Sequence, residues 1–155
     1  MPDLRRADFD RELTSRGRKA SRAIGRYLAH HGLIPDLVLC SPSARTRQTL
    51  DRVLKALDKE PPTEFLDPLY DAAVRTYLDQ IRLHGGDAGT LLVVGHNPST
   101  EEALTALCSP DSGALPDAVP TCALAVVDCG ITDWAALSPG CGTLADFVRP
   151  RDLED

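Results

Sequence analysis

The sequence predicts one α/β domain: a three-layer α/β/α sandwich around a largely parallel sheet. Two observations predict it. Short apolar runs of strand length alternate with longer stretches whose apolar residues recur at helical spacing, the pattern of strand–helix–strand units. The length, 155 residues, suits one domain with its own core, and neither a repeat nor a low-complexity tract divides residues 1–155.

Leu13-Thr14-Ser15-Arg16-Gly17 opens the first helix, with Thr14 or Ser15 as N-cap. Ala20, Ala23, Ile24, Tyr27 and Leu28 then recur at helical intervals and form one buried face. Arg18, Arg22 and Arg26, four apart, read as a solvated stripe on the same helix. Gly32 ends it, and His30 and His31 in the last turn suit the negative end of the helix dipole. Asp36 to Ser41 is a short apolar run suited to a strand buried on both faces. Ser41-Pro42-Ser43-Ala44 begins a second helix with Thr46, Thr49, Leu50, Val53, Leu54 and Leu57 inward, broken by Pro61-Pro62. Thr63 to Leu66 is a weaker strand. Val74, Tyr77, Leu78 and Ile81 mark a third helix, ended by Gly85-Gly86. Thr90 to His96 is the clearest strand of the chain, and a helix from about Thr100 to Cys108 follows. Pro110 to Pro120 reads as a loop, Thr121 to Asp128 and Gly142 to Val148 as the last strands, and Ile131 to Leu137 as a candidate for another.

Composition narrows the function classes. No apolar run approaches the roughly 20 residues that cross a bilayer. The N-terminus has no apolar stretch typical of a signal peptide, so a cytoplasmic location without membrane partners is expected. Net charge is −6, but residues 1–60 hold 13 Lys/Arg against 8 Asp/Glu, and the remainder holds 4 against 15. A basic half favours an acidic or phosphorylated partner. Few aromatics and no block of like charge argue against nucleic acid. The five cysteines, Cys40, Cys108, Cys122, Cys129 and Cys141, form an odd set without a C-x-x-C pair. That argues against a disulfide framework and against a zinc ribbon, and Cys40 and Cys122 read as buried free thiols. No metal site and no cofactor are expected.

Two strand-to-helix junctions carry the candidate chemistry. Ligands in open α/β sheets gather at strand carboxyl ends, beside helix N-termini whose free N–H groups attract anions. The first junction, Leu39 to Thr49, places Arg45 in the first turn of a helix. A cation is disfavoured there by the dipole, which points to a functional reason. The second, Val93 to Ser99, sets His96 at a strand end beside Gly95, which permits close backbone approach.

Taken together, these segments resemble the histidine phosphatase superfamily, and most closely its small SixA-type phosphohistidine phosphatases. The shared features are Leu13, Thr14 and Gly17, the Pro35 to Thr49 segment with Ser41-Pro42 and Arg45, and Val94-Gly95-His96-Asn97-Pro98. The resemblance spans roughly residues 10 to 148 and implies a phosphoglycerate mutase-like fold. It implies that Arg45 clamps phosphate with forked hydrogen bonds and that His96 donates to the phosphoryl oxygens. The backbone amide of Asn97 would add a donor.

In that family a first strand ends in Arg-His-Gly or Arg-His-Ala, whose His is the nucleophile. None of His30, His31, His84 or His96 follows an N-terminal strand, and Arg5-Arg6-Ala7 resembles the motif only superficially. Arg6 cannot be a nucleophile, since its guanidinium stays protonated. Either the true start lies upstream and supplies the strand, or the chain is a noncatalytic remnant. Well-kept patterning elsewhere favours the first. Without that central strand two sheet edges stay unpaired, which would favour a homodimer. Asp71, in a loop that could reach the site, reads more simply as an N-cap before Val74 than as a general acid.

The resulting expectation is a phosphatase acting on a phosphorylated protein, through phosphohistidine, or on a small phosphate ester. The alternative is a noncatalytic phospho-ligand binding or regulatory module. An unrelated flavodoxin-like domain would need a glycine-rich phosphate loop, which the chain lacks.

Overall fold

The computed structural model describes residues 4–110, 115–116 and 118–153. The first element among the described residues is a short helix, α1 (Leu4–Phe9), so Arg5-Arg6-Ala7 lies in a helix that the sequence did not announce. There follow α2 (Ser15–His30), β1 (Leu37–Cys40), α3 (Ala44–Leu57), β2 (Thr63–Phe65), α4 (Val74–His84), β3 (Leu91–Val94) and α5 (Ser99–Leu107). The chain ends with β4 (Leu124–Cys129) and β5 (Gly142–Val148), and single 3₁₀ turns lie at Asp67–Leu69, Trp134–Ala136 and Pro150–Leu153. Ile131 to Leu137 is therefore not a strand. Trp134 instead turns in, its indole N–H donating to the Ala88 carbonyl at 2.7 Å.

The helices begin and end for local reasons. Thr14 caps α2, its hydroxyl accepting the Gly17 N–H at 3.0 Å, and Ser43 caps α3 by accepting from Thr46 N. Helix α3 stops before Pro61-Pro62, because Asp58 takes a left-handed conformation (φ 57°) and closes the end by donating to Leu54 and Lys55 carbonyls. At the end of α2, His31 Nδ1 lies 2.9 Å from the Tyr27 carbonyl. On the arginine stripe, Arg22 and Arg26 are exposed and Arg18 is half-buried. Cys40 is fully buried and Cys122 only half-buried, and all five cysteines are free thiols. The Pro110 to Pro120 loop lies partly outside the described residues.

Three parallel strands form one sheet in the order β2-β1-β3. The alternation of β1 separates its two covers. Val38 and Cys40 pack on Leu50 of α3, while Leu39 packs on Tyr77, Leu78 and Ile81 of α4 and Ala103 of α5. Helices α2 and α3 lie against one another where Gly25 meets Val53 and Ala56. The antiparallel pair β4-β5 sits between the same layers. Leu124 and Val148 pack on Ile24, Leu28, Val53 and Leu57, and Ala125, Val127 and Phe147 pack toward Leu104 and Cys108.

The sheet is thus in two pieces. Among the described residues no ladder joins β3 to β4, although both sheets share the same helical covers. The consequence shows in burial. Val38, Leu39 and Cys40 in β1 are 0% exposed, whereas all four residues of the equally apolar β3 are only half-buried. The strand that reads most clearly in the sequence is an edge strand here.

Candidate active site

The parallel strands β1 and β3 end side by side, with Cys40 in register with Val94 and Ser41 N donating to the Val94 carbonyl at 2.9 Å. Their two junctions therefore meet. Arg45, on the first turn of α3, and His96, just past β3, line one open cleft of about 390 Å³ with Asp8, Tyr70, Asp71, Asn97 and Glu102. The cleft lies at strand carboxyl ends, where α/β sheets place ligands.

His96 is held from behind. Its Nε2 lies 2.8 Å from Ser41 Oγ and 3.4 Å from Ser43 Oγ. Both serines are 0% exposed, and Thr46 locks them by donating to the Ser41 carbonyl at 2.7 Å and the Ser43 carbonyl at 3.0 Å. The Tyr70 ring meets the imidazole edge-on, with centroids 5.3 Å apart. Burial, reinforced by the Arg45 charge, holds the His96 pKa below its ordinary value, so the ring is neutral near pH 7. Gly95 has a steric purpose: a Cβ there would come within 2.9 Å of the Tyr77 ring. The close approach foreseen at this glycine is that of Tyr77.

The Arg45 guanidinium escapes the unfavourable dipole of its own helix by reaching to α1. Its Nη1 donates to the Asp8 carbonyl at 2.8 Å and to Oδ1 at 3.2 Å, and Nη2 donates to Oδ2 at 3.4 Å. Tyr70 donates its hydroxyl to Asp8 Oδ2 at 2.5 Å. The Tyr70 hydrogen bond and then Arg45 hold the Asp8 carboxyl below its usual range, so it is ionised and no proton donor.

Asn97 lines the cleft, but its side-chain amide is engaged by the Val119 carbonyl at 2.6 Å. Asp71 corrects its sequence reading. Helix α4 has Ala73 at its N-cap with no side-chain bond, and Asp71 is an exposed cleft residue in a left-handed conformation (φ 59°). Three residues back from Val74, it lies two positions before the N-cap. Ser99 buries its hydroxyl on the Ala72 carbonyl and so ties the start of α5 to this loop.

Sequence reading missed Asp8 and Tyr70, and placed Ser41 at a strand end and both serines at a helix start without joining either to His96. Asp8 stands 37 residues from Arg45, with no local signal to join them. The serines did leave a trace: two hydroxyls at the end of an apolar strand, beside a second strand ending in His. Among the described residues no cluster suited to a metal ion occurs.

The chain matches the family model of the histidine phosphatase superfamily (branch 1) over residues 5–77. It is 36% identical over 152 residues to an uncharacterized protein of Mycobacterium tuberculosis, covering 94% of this chain and 92% of that one. Among solved structures, a candidate phosphohistidine phosphatase SixA from Agrobacterium tumefaciens is 33% identical with a TM-score of 0.77, covering 92% of this chain and 86% of that one. The protein histidine phosphatase SixA complexed with tungstate is 28% identical with a TM-score of 0.78, covering 95% and 89%.

Proposed function

The chain belongs to the histidine phosphatase superfamily, and on that premise we propose that it removes phosphoryl groups from phosphohistidine in a protein, or from a small phosphate ester. The observation that carries this reading is the convergence of Arg45 and His96 on one cleft. Arg45 offers a forked donor set that matches two phosphate oxygens. His96 offers Nδ1. We assign the Ser41 hydroxyl proton to Nε2, 2.8 Å away, while Ser41 Oγ accepts the Ser43 N–H at 3.5 Å. The neutral ring then carries its proton on Nδ1, placed to donate to a phosphoryl oxygen and steady charge in transfer. We assign the backbone amide of Asn97 as a further phosphoryl donor.

The nucleophile comes, in this proposal, from an upstream strand ending in Arg-His. We place that strand between β3 and β4, which share no ladder among the described residues. Its histidine nitrogen bonds to phosphorus as the substrate's P–N or P–O bond breaks. Water then attacks the phosphohistidine, releasing phosphate and restoring the imidazole. When the P–N bond of a ring-protonated phosphohistidine breaks, the substrate imidazole leaves neutral without a strong general acid, which suits a cleft whose Asp8 is held ionised.

A noncatalytic phospho-ligand module is the second reading. Its support is that His96 is the only imidazole lining the described cleft and is occupied from behind by Ser41. One experiment separates the two: express the chain with and without the in-frame upstream sequence, and measure phosphate release from a phosphohistidine protein. The first reading expects turnover only in the longer form, abolished in Arg45→Ala. The second expects ligand binding that Arg45→Ala removes, without turnover in either form.

A further inference from the structure

Resting on the reading of Arg45 and His96 as a phosphoryl site, we propose that Asp8 is an internal anion seated on the Arg45 fork, which a phosphoryl ligand must displace. The carboxylate takes both terminal nitrogens of the guanidinium, with Oδ1 3.2 Å from Nη1 and Oδ2 3.4 Å from Nη2. This is the same two-oxygen engagement that a phosphate would make. Tyr70 completes the mimicry by donating to Oδ2 at 2.5 Å, so a hydroxyl beside His96 is spent on Asp8 as well.

Charge in the cleft gives the contact its weight. Its described lining carries Asp8, Asp71 and Glu102 against Arg45 as the single guanidinium or ammonium. An incoming dianion meets three carboxylates and a cation already satisfied. Because Asp8 belongs to the same chain, it competes at high effective concentration.

The carrier is built to move. Helix α1 is six residues long, none of its described side chains belongs to the four core clusters, and Asp8 is 39% exposed. Beside the carboxylate, Phe9 meets the Tyr70 ring edge-on at 5.1 Å. Swinging α1 away therefore breaks these contacts and, among its described side chains, none of the core clusters. Asp8 so acts as a gate on the clamp, passing ligands whose charge and oxygen geometry outbid a single carboxylate.

The alternative is that Asp8 positions Arg45 for the ligand, and the two predict opposite signs. Inorganic phosphate and tungstate are titrated calorimetrically into the 155-residue chain and four variants. Asp8→Asn should tighten both by about three- to tenfold, the range expected for releasing an exposed charge-assisted contact. Tyr70→Phe, which frees only one hand on Asp8, should tighten them by about twofold. Asp10→Asn removes the same charge two residues on, where the carboxylate faces Arg6 and lines no part of the cleft, and should change nothing. Arg45→Ala should abolish binding. Weaker or equal binding in Asp8→Asn, with Arg45→Ala still without binding, overturns the gate and leaves the phosphoryl site standing. Equal tightening in Asp10→Asn also overturns the gate, since a general field would then explain it. Binding that ignores Arg45 in every variant overturns both.

Discussion

Ser41→Ala tests whether the imidazole is held from behind. Ser41 Oγ lies 2.8 Å from His96 Nε2, is fully buried, and accepts the Ser43 N–H at 3.5 Å. Removing the hydroxyl forfeits a hydrogen bond worth about 0.5–1.5 kcal/mol net, and a buried nitrogen left unsatisfied would add about 1–3 kcal/mol. Two facts keep the total low. Ser43 Oγ already stands 3.4 Å from the same nitrogen and can take over part of the bond. His96 is only half-buried, so water can reach it. The loss should settle at about 1–2 kcal/mol, or a Tm drop of about 2–8 °C for a domain of this size. Phosphate affinity should fall about fivefold, since a ring free to turn must be ordered on binding. Thermal denaturation reads the first and calorimetric titration the second. Long-range proton–nitrogen NMR reads the His96 tautomer, expected to shift from protonated Nδ1 toward a mixture. A Ser41→Ala protein with an unchanged tautomer and unchanged phosphate affinity would refute the proposed role of the serine pair.

Two further outcomes follow from the packing around His96 and between α2 and α3. His96 has its pKa lowered by burial and by Arg45, so it should titrate below 6.5 in an NMR pH series, and Arg45→Ala should move it upward. In linkage terms the unfolded chain binds the proton first. The His96 contribution to stability is therefore full above the ordinary 6.5 and is lost as pH falls through the folded value. Gly25→Ala should destabilise the fold, because a Cβ there would stand 2.5 Å from the Val53 carbonyl oxygen and 2.7 Å from Ala56 Cβ. Overpacking costs about 1–3 kcal/mol against about 1 kcal/mol gained in helix propensity. A urea midpoint at or above wild type would show that α2 and α3 part more easily than this.

Much of the fold was legible because its signals are local. Ser43 and Thr14 announce their helices through a hydroxyl three residues from the N–H it accepts, and that distance is set by the chain itself. The apolar run at β1 needs no partner to be recognised as buried. Where a signal depended on what lay opposite, reading failed. Ile131 to Leu137 has strand-like composition, but Trp134 finds Ala88 across space and the segment turns instead. Asp71 has the right residue type for a cap, yet Ala73 occupies that place.

The sequence by itself determined that β1 and β3 each run into a helix, and that Arg45 and His96 stand at those junctions. Backbone geometry and hydrophobic period act over a few residues, so they are written along the chain. Only the tertiary structure decided what the two side chains face. Parallel pairing of Cys40 with Val94 brings the junctions together and puts Ser41 against His96. The swing of α1 puts Asp8 against Arg45 across 37 residues. Contacts of that reach depend on how the whole chain closes, and no local pattern encodes them.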